Sequence, residues 1–282
     1  MRTQLTVQLS KEQIAFFHRE GYLVLDQLVP AEEVDRMRVI YDRLFDRKAG
    51  RELGEYYDLG GTDEEGKAPV LPQMMNPSRY APEIAVGQFR LNAAAIARQL
   101  LGAACEFRQD LAICKPPGSP AATPWHQDNA YLDPKFDHEN INIWIPLQPV
   151  TEANGCLQFI PGGHKSKNIL PHHTINNDPR IEGLECDVID EKQAVTCPIP
   201  AGGVTIHHTR VLHHAGPNRS SEPRRAYILE FRNPPVKRAQ PHDFYWQRAR
   251  NTEREKRYAT LGSWSRNTLF KISRKVRKIV AK

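Results

Sequence analysis

Residues 139–150 read ENINIWIPLQPV, with Ile141, Ile143, Ile145 and Leu147 alternating against Asn142, Trp144 and Gln148. A period of two is that of a β-strand with one face buried. The flanking sequence continues in the same manner. Thr151-Glu152-Ala153-Asn154-Gly155 reads as a turn and 156–160 as the returning strand. Ala201-Gly202-Gly203 is another turn ahead of a strand over 204–208, and AYILEF at 226–231 is apolar and β-prone. Short strands divided by glycine and proline turns build a sandwich or a barrel.

The N-terminal third is largely helical. Ser10-Lys11-Glu12-Gln13 has the form of a capping box that opens a short helix. Pro30-Ala31-Glu32-Glu33 opens a second, with Val34, Met37, Ile40, Leu44 and Phe45 on one face. A third is predicted over 84–101, stopped by Gly102. These apolar stripes are read as surfaces that pack against the outside of the β-structure. Segment 48–80 is glycine-rich and polar, with an acidic cluster at Asp63-Glu64-Glu65. It is predicted to be a long loop, either a lid over the β-structure or a surface excursion. A length of 282 residues suits one large β-rich domain with helical additions.

His126-Gln127-Asp128 sits between Pro124-Trp125 and a turn-like Asn129-Ala130-Tyr131, a setting that suits a strand end opening onto a cavity. With 11 histidines in the chain, one His-x-Asp is near chance, so the tripeptide alone decides nothing. Its weight comes from His213 and Arg224 further along. Two imidazoles and a carboxylate are the ligand set of a non-haem Fe(II) oxygenase, which leaves positions open for oxygen and a co-substrate. An arginine offers a planar fork that pairs bidentately with a carboxylate, such as that of 2-oxoglutarate, and keeps its charge. The doublets His213-His214 and Arg224-Arg225 leave a choice open. Consecutive side chains on a strand face opposite ways, so one of each pair enters the interior, and period alone does not say which.

Four stretches carry a family resemblance: LSKEQIAFFHREGYLVLDQLVPAEEVDRMR, ICKPPGSPAATPWHQD, IWIPLQPVTEANGCLQFIPGGHKS and LHHAGPNRSSEPRRAYILEF, in this order. From about residue 8 to about residue 235 the chain resembles the phytanoyl-CoA dioxygenase family of Fe(II)/2-oxoglutarate enzymes. The resemblance implies a mainly β fold with α additions, a double-stranded β-helix (a cupin-like jelly roll) flanked by N-terminal helices. It also implies that His126, Asp128 and His213 hold Fe(II) and that Arg224 anchors the far carboxylate of 2-oxoglutarate. By the same resemblance, Leu111 and Trp144 line the co-substrate pocket. The pattern His-x-Ala-x-x-Asn, ending at Asn218, and the eleven-residue step to the arginine resemble the family for His213 and Arg224, leaving His214 and Arg225 as surface or supporting groups. One departure is Ala215, where many members carry a serine two residues after the distal histidine. Arg224 then carries more of the carboxylate, with Lys115 or Gln73 as a further donor.

The activity implied is hydroxylation of an unactivated C–H bond in a small-molecule or lipid-like substrate, with O2 as oxidant and 2-oxoglutarate as co-substrate. Desaturation, epimerisation and ring closure use the same ligands. Halogenation needs a halide where Asp128 stands. A catalytically silent jelly-roll binding protein is the rival from another class. Asn129, Tyr131 and segment 48–80 are placed at the substrate pocket.

Other histidines receive plainer readings. His164, in a PGGH turn, is assigned a structural hydrogen bond, and one of His207 and His208 is expected to face inward in support of a ligand. His172 and His173 are read as solvated in a polar loop, while His18, His138 and His242 lack metal-like spacing. Five cysteines without a CxxC pair argue against a disulfide framework or a zinc site. MRTQLTVQLS lacks the apolar core of a signal peptide, and no stretch reaches membrane-spanning length, so a cytoplasmic protein is expected.

The net charge of +6 is uneven. Residues 248–282 hold twelve Lys/Arg and two Glu, a net of +10, which leaves −4 on residues 1–247. The division expected is a dioxygenase domain over 1–247 and a basic helical tail over 248–282. Within the tail Leu269, Ile272, Val276 and Ile279 recur at helical spacing. Such a helix either lies weakly on an anionic membrane surface or acidic partner, or packs on its own domain. Sparse aromatic interleaving argues against nucleic acid.

Overall fold

The computed structural model describes residues 7–187 and 189–260. Two antiparallel sheets enclose one cavity. The longer has seven strands in the spatial order Tyr22–Leu25, Val204–His208, Asn140–Pro146, Arg224–Arg232, Glu106–Lys115, Pro72–Met75 and Tyr56–Asp58. The shorter has four: Val195–Cys197, Leu157–Phe159, His213–Ala215 and Thr123–His126. Apart from the consecutive strands Tyr56–Asp58, Pro72–Met75 and Glu106–Lys115, neighbours in the sheets are far apart in the chain, as the expected jelly roll requires.

The alternating segment forms the third strand of the longer sheet. Ile141, Ile143, Ile145 and Leu147 are fully buried against Met37, Ile40 and Ile96 of the helices and Leu229 of the neighbouring strand. Burying each contributes roughly 1.5–3 kcal/mol. The alternation predicts one buried face, yet the structure encloses both. Asn142 and Trp144, on the opposite side of the strand, line the internal cavity.

Helix Lys11–Glu20 begins at Ser10, whose side chain accepts from Gln13 N while the Gln13 side chain accepts from Ser10 N, the predicted reciprocal cap. Helix Ala31–Asp46 buries Val34, Met37, Ile40, Tyr41 and Leu44. The third helix, Gln88–Leu101, starts later than predicted because Pro82–Ile84 forms a separate 3-10 turn, and it ends at Gly102 as expected. In the turn after the alternating strand, Gly155 has φ +81°, and a Cβ there would meet Gly216 O at 2.5 Å. Only glycine fits this combination.

Segment 48–80 is not one long loop. It supplies Pro72–Met75 and Tyr56–Asp58, the two last strands of the longer sheet, with Tyr56, Tyr57 and Met74 buried. The polar composition that suggested a loop belongs mainly to the connection between them. That connection is tied down by the Asp58 carboxylate, which accepts from the backbone N–H groups of Gly60, Val70 and Leu71 at 3.1, 2.7 and 2.8 Å.

Part of the basic C-terminal segment packs on the body. On helix Glu253–Thr260, Arg254 donates to Glu182 Oε1 at 2.5 Å and to Gly54 O at 3.0 Å, and its guanidinium lies 4.2 Å from the Tyr57 ring centre. The helical spacing of Leu269, Ile272, Val276 and Ile279 lies outside the described residues.

Candidate active site

His126 ends strand Thr123–His126, and Asp128 opens the 3-10 turn Asp128–Tyr131 that follows. His213 begins the adjacent antiparallel strand, with its Cα directly opposite that of His126. This pairing brings residues distant in the chain to a ring separation of 4.2 Å. One ligand atom from each of His126, Asp128 and His213 falls within 4.8 Å of the other two. Nε2 of His126 lies 3.5 Å from Asp128 Oδ1, and Nε2 of His213 lies 3.7 Å from Oδ2.

Backbone carbonyls orient both imidazoles. His126 Nδ1 lies 2.8 Å from Pro124 O and His213 Nδ1 lies 3.0 Å from Val211 O. A carbonyl only accepts, so each ring carries its proton on Nδ1 and turns the Nε2 lone pair inward, as metal-binding histidines do. Burial holds His213 well below the usual imidazole range, keeping it neutral and able to ligate. Burial works against the charge of Asp128. The hydrogen bond from His207 acts the other way and favours the ionised carboxylate. Gln127 points away from the site: its side chain donates to Arg210 O at 2.7 Å and accepts from Leu170 N at 2.8 Å.

Arg224 and Arg225 divide as expected of consecutive strand residues. Arg225 faces the helices and pairs with Asp42 at 2.6 and 3.0 Å. Arg224 is 1% exposed and lines the cavity, with Nε and Nη1 buried and without a hydrogen-bond partner. Its guanidinium lies 5.4 Å from the Trp144 ring centre. Burial lowers its pKa to about 10, so it stays charged at neutral pH. A buried cation with idle donors is costly unless an anion meets it.

The cavity has a volume of about 390 Å³. Leu111, Trp144 and Gln73 line it, and Gln73 is hydrogen-bonded to the Tyr57 hydroxyl. Lys115, read as a further donor to the co-substrate, is placed otherwise. Its Cα pairs with that of Arg224, but its ammonium donates to Ala121 O at 2.8 Å and Ala215 O at 3.0 Å, off the cavity lining. Burial, then the charge of Arg224, holds Lys115 well below the usual amine range. Asn218 braces the turn leading to Arg224, donating to Lys115 O, Pro116 O and Glu222 O. Tyr131 lines the cavity and Asn129 does not.

The histidine readings need one revision, at His172. His207 is the inward member of its pair, with Nε2 3.3 Å from Asp128 Oδ2, while His208 turns to Glu139 at 3.0 Å. His172, read as solvated, is fully buried; its Nε2 accepts from Gln127 N at 3.1 Å and its Nδ1 lies 2.7 Å from Leu170 O. It thus fixes the backbone between His126 and Asp128. No spacing rule marks such a residue, because the contact joins a loop to a strand end. His164 makes the predicted structural bond, to His18 O at 3.1 Å, and His214 stacks on Trp125 at 5.2 Å. Asn142 also reaches the site, donating to Asp128 Oδ2 at 2.8 Å. Its place in the polar half of the alternation was the signal for it.

The family model of phytanoyl-CoA dioxygenase (PhyH) matches residues 17–226. The chain belongs to the phytanoyl-CoA dioxygenase family. It is a non-haem iron, 2-oxoglutarate-dependent dioxygenase that uses Fe(II), 2-oxoglutarate and O2. Among relatives, a phytanoyl-CoA dioxygenase of Arabidopsis thaliana is 25% identical over 260 residues, covering 80% of this chain and 89% of that protein. EvdO2 from Micromonospora carbonacea var. aurantiaca, solved in complex with 2-oxoglutarate, is 35% identical with a TM-score of 0.74, covering 86% of this chain and 99% of that one. The epimerase SnoN, at 22% identity and a TM-score of 0.62 over 79% of this chain and 83% of its own, shares the fold. The donor set fits the family's reagents. Three inward ligand atoms suit Fe(II), and the idle guanidinium suits the far carboxylate of 2-oxoglutarate.

Proposed function

We propose that this enzyme hydroxylates an unactivated C–H bond of a polar small molecule. The observation that carries the reading is the convergence, in one cavity, of three metal-ligating side chains with a buried arginine whose donors are idle. When bound, iron and 2-oxoglutarate supply the oxidising power of O2, with succinate and carbon dioxide as co-products. The residues do the rest by position. His126, Asp128 and His213 hold the metal through Nε2, a carboxylate oxygen and Nε2. Arg224 holds the far carboxylate beside the Trp144 ring, and Leu111 and Ile228 add apolar lining to the same cavity. Elsewhere the lining includes Arg108, Glu230, Glu182 and Arg254, with Tyr57 and Tyr131. Charged and hydroxyl groups suit a hydrogen-bonding substrate and disfavour the lipid-like one that the sequence left open. The free thiols of Cys105, Cys114, Cys156 and Cys197 support a cytoplasmic setting.

Anaerobic addition of Fe(II) and 2-oxoglutarate tests the site: a weak visible charge-transfer band is expected, and none would favour a silent binder. Polar compounds are then screened for stimulated succinate release. A product that has gained one oxygen atom supports hydroxylation, whereas loss of two hydrogens or inversion of a centre replaces it with desaturation or epimerisation.

A further inference from the structure

Asp128 takes its side-chain hydrogen bonds from the longer sheet, while His126 and His213 face it from the shorter one. Asn142 donates to Oδ2 at 2.8 Å, and His207 Nε2 lies 3.3 Å from the same oxygen. Asn142 and His207 are Cα partners on adjacent antiparallel strands, so the two donors form one rigid pair. The other carboxylate oxygen, Oδ1, faces His126 Nε2 at 3.5 Å, and Oδ2 has His213 Nε2 3.7 Å away as well.

The surroundings of His207 identify its tautomer. The residue is 2% exposed, its ring lies 4.4 Å from that of His213 and 5.3 Å from that of Phe159, and its Nδ1 is buried without a partner. A proton on Nδ1 would be a buried donor with nothing to accept it, and Nε2 would then turn a lone pair toward a carboxylate. With the proton on Nε2, both objections vanish and Asp128 gains a donor.

We propose that Asn142 and His207 act together as positioning residues that keep Asp128 monodentate. Oδ2 is held by the pair and Oδ1 is left for the metal; the proposal rests on reading this site as an iron centre. A carboxylate with both oxygens free can chelate and so take a second coordination position. Three single-atom protein ligands on a six-coordinate ion leave three positions, two for the 2-oxo acid of the co-substrate and one for oxygen. The pair therefore guards the place where the co-substrate enters.

Fe(II) affinity and the anaerobic 2-oxoglutarate titration of the visible band test this on the full chain, with apo melting temperatures as a folding check. Asn142→Ala and His207→Phe are each expected to weaken iron binding by about 10–100-fold. Both are also expected to raise several-fold the 2-oxoglutarate concentration that half-develops the band. His207→Gln is expected to restore most of both, since the glutamine amide nitrogen reaches the place of Nε2. Should His207→Phe fail to fold, Asn142→Ala examines the same oxygen with the ring intact. Parent-like values in Asn142→Ala, or a His207→Gln variant as impaired as His207→Phe, would overturn the clamp. A parent protein that gives no band at all would overturn the iron reading itself, a separate failure.

Discussion

The two faces of the seven-stranded sheet are built by alternate residues of the same strands and meet opposite demands. Under the helices lie Ile141, Ile143, Ile145, Tyr227 and Leu229, close-packed and almost inaccessible. On the cavity side the same strands present Asn142, Trp144, Arg224, Ile228 and His207. The first face stabilises the fold through apolar burial. The second holds polar groups at fixed positions, among them a guanidinium with idle donors. Stability and chemistry are thus separated by one residue of register, so errors on the two faces should have different signatures.

The largest separation is expected at the metal. His213→Ala should weaken Fe(II) binding by more than about 100-fold and abolish the anaerobic band, while His214→Ala, whose ring stacks on Trp125, leaves the affinity within a few-fold. These two residues lie on the shorter sheet, and equal losses would undo the choice of His213 as the inward one.

Arg224→Ala comes next. It should cost about 3–4 kcal/mol of 2-oxoglutarate affinity, roughly 10²–10³-fold by titration of the band. Its apo protein should melt no lower than the parent, because an unpaired buried charge has been removed. A clear drop in melting temperature would mean that Arg224 has a structural anion-like partner after all.

On the helix-covered face the signature inverts. Ile143→Ala should lower the unfolding free energy by about 2–5 kcal/mol in urea titrations and leave iron affinity unchanged. A changed affinity would show that the two faces are mechanically coupled.

A pH effect follows from His172. Burial lowers its pKa from 6.5 to about 4. Between those values the unfolded chain binds more protons than the folded one, so stability falls as pH drops from 6.5 toward 4 and is level above. The contribution is up to about 3 kcal/mol. His172→Gln should reduce the slope of urea midpoint against pH in that window, and an unchanged slope would place the proton elsewhere. Smallest is Arg225→Ala: the partly exposed pair with Asp42 is worth at most about 1 kcal/mol, and 2-oxoglutarate affinity should not move.

Legibility varied with how local the signal was. The Ser10 cap and the stripe from Val34 to Leu44 are short-range patterns that appear in the structure as read, and the alternation from Ile141 to Leu147 forms the expected strand, though with both faces enclosed. The strands Tyr56–Asp58 and Pro72–Met75 have no sequence signature, because three or four residues in a polar stretch carry no periodicity of their own; they become strands by pairing at an existing edge. The sequence offers Lys115, beside Gln73, as a further donor to the co-substrate. What engages its ammonium is a pair of backbone carbonyls, Ala121 O and Ala215 O, that no sequence pattern marks.

By itself the sequence determined which residues share a face and which chemistry they are capable of, since strand period and side-chain type are properties of the chain. Only the tertiary structure decided which face encloses the cavity, that His207 and Asn142 meet on one oxygen of Asp128, and that His172 supports the backbone of Gln127. These are contacts across sheets and loops, set by the pairing of distant strands and by the requirement that buried polar atoms find partners.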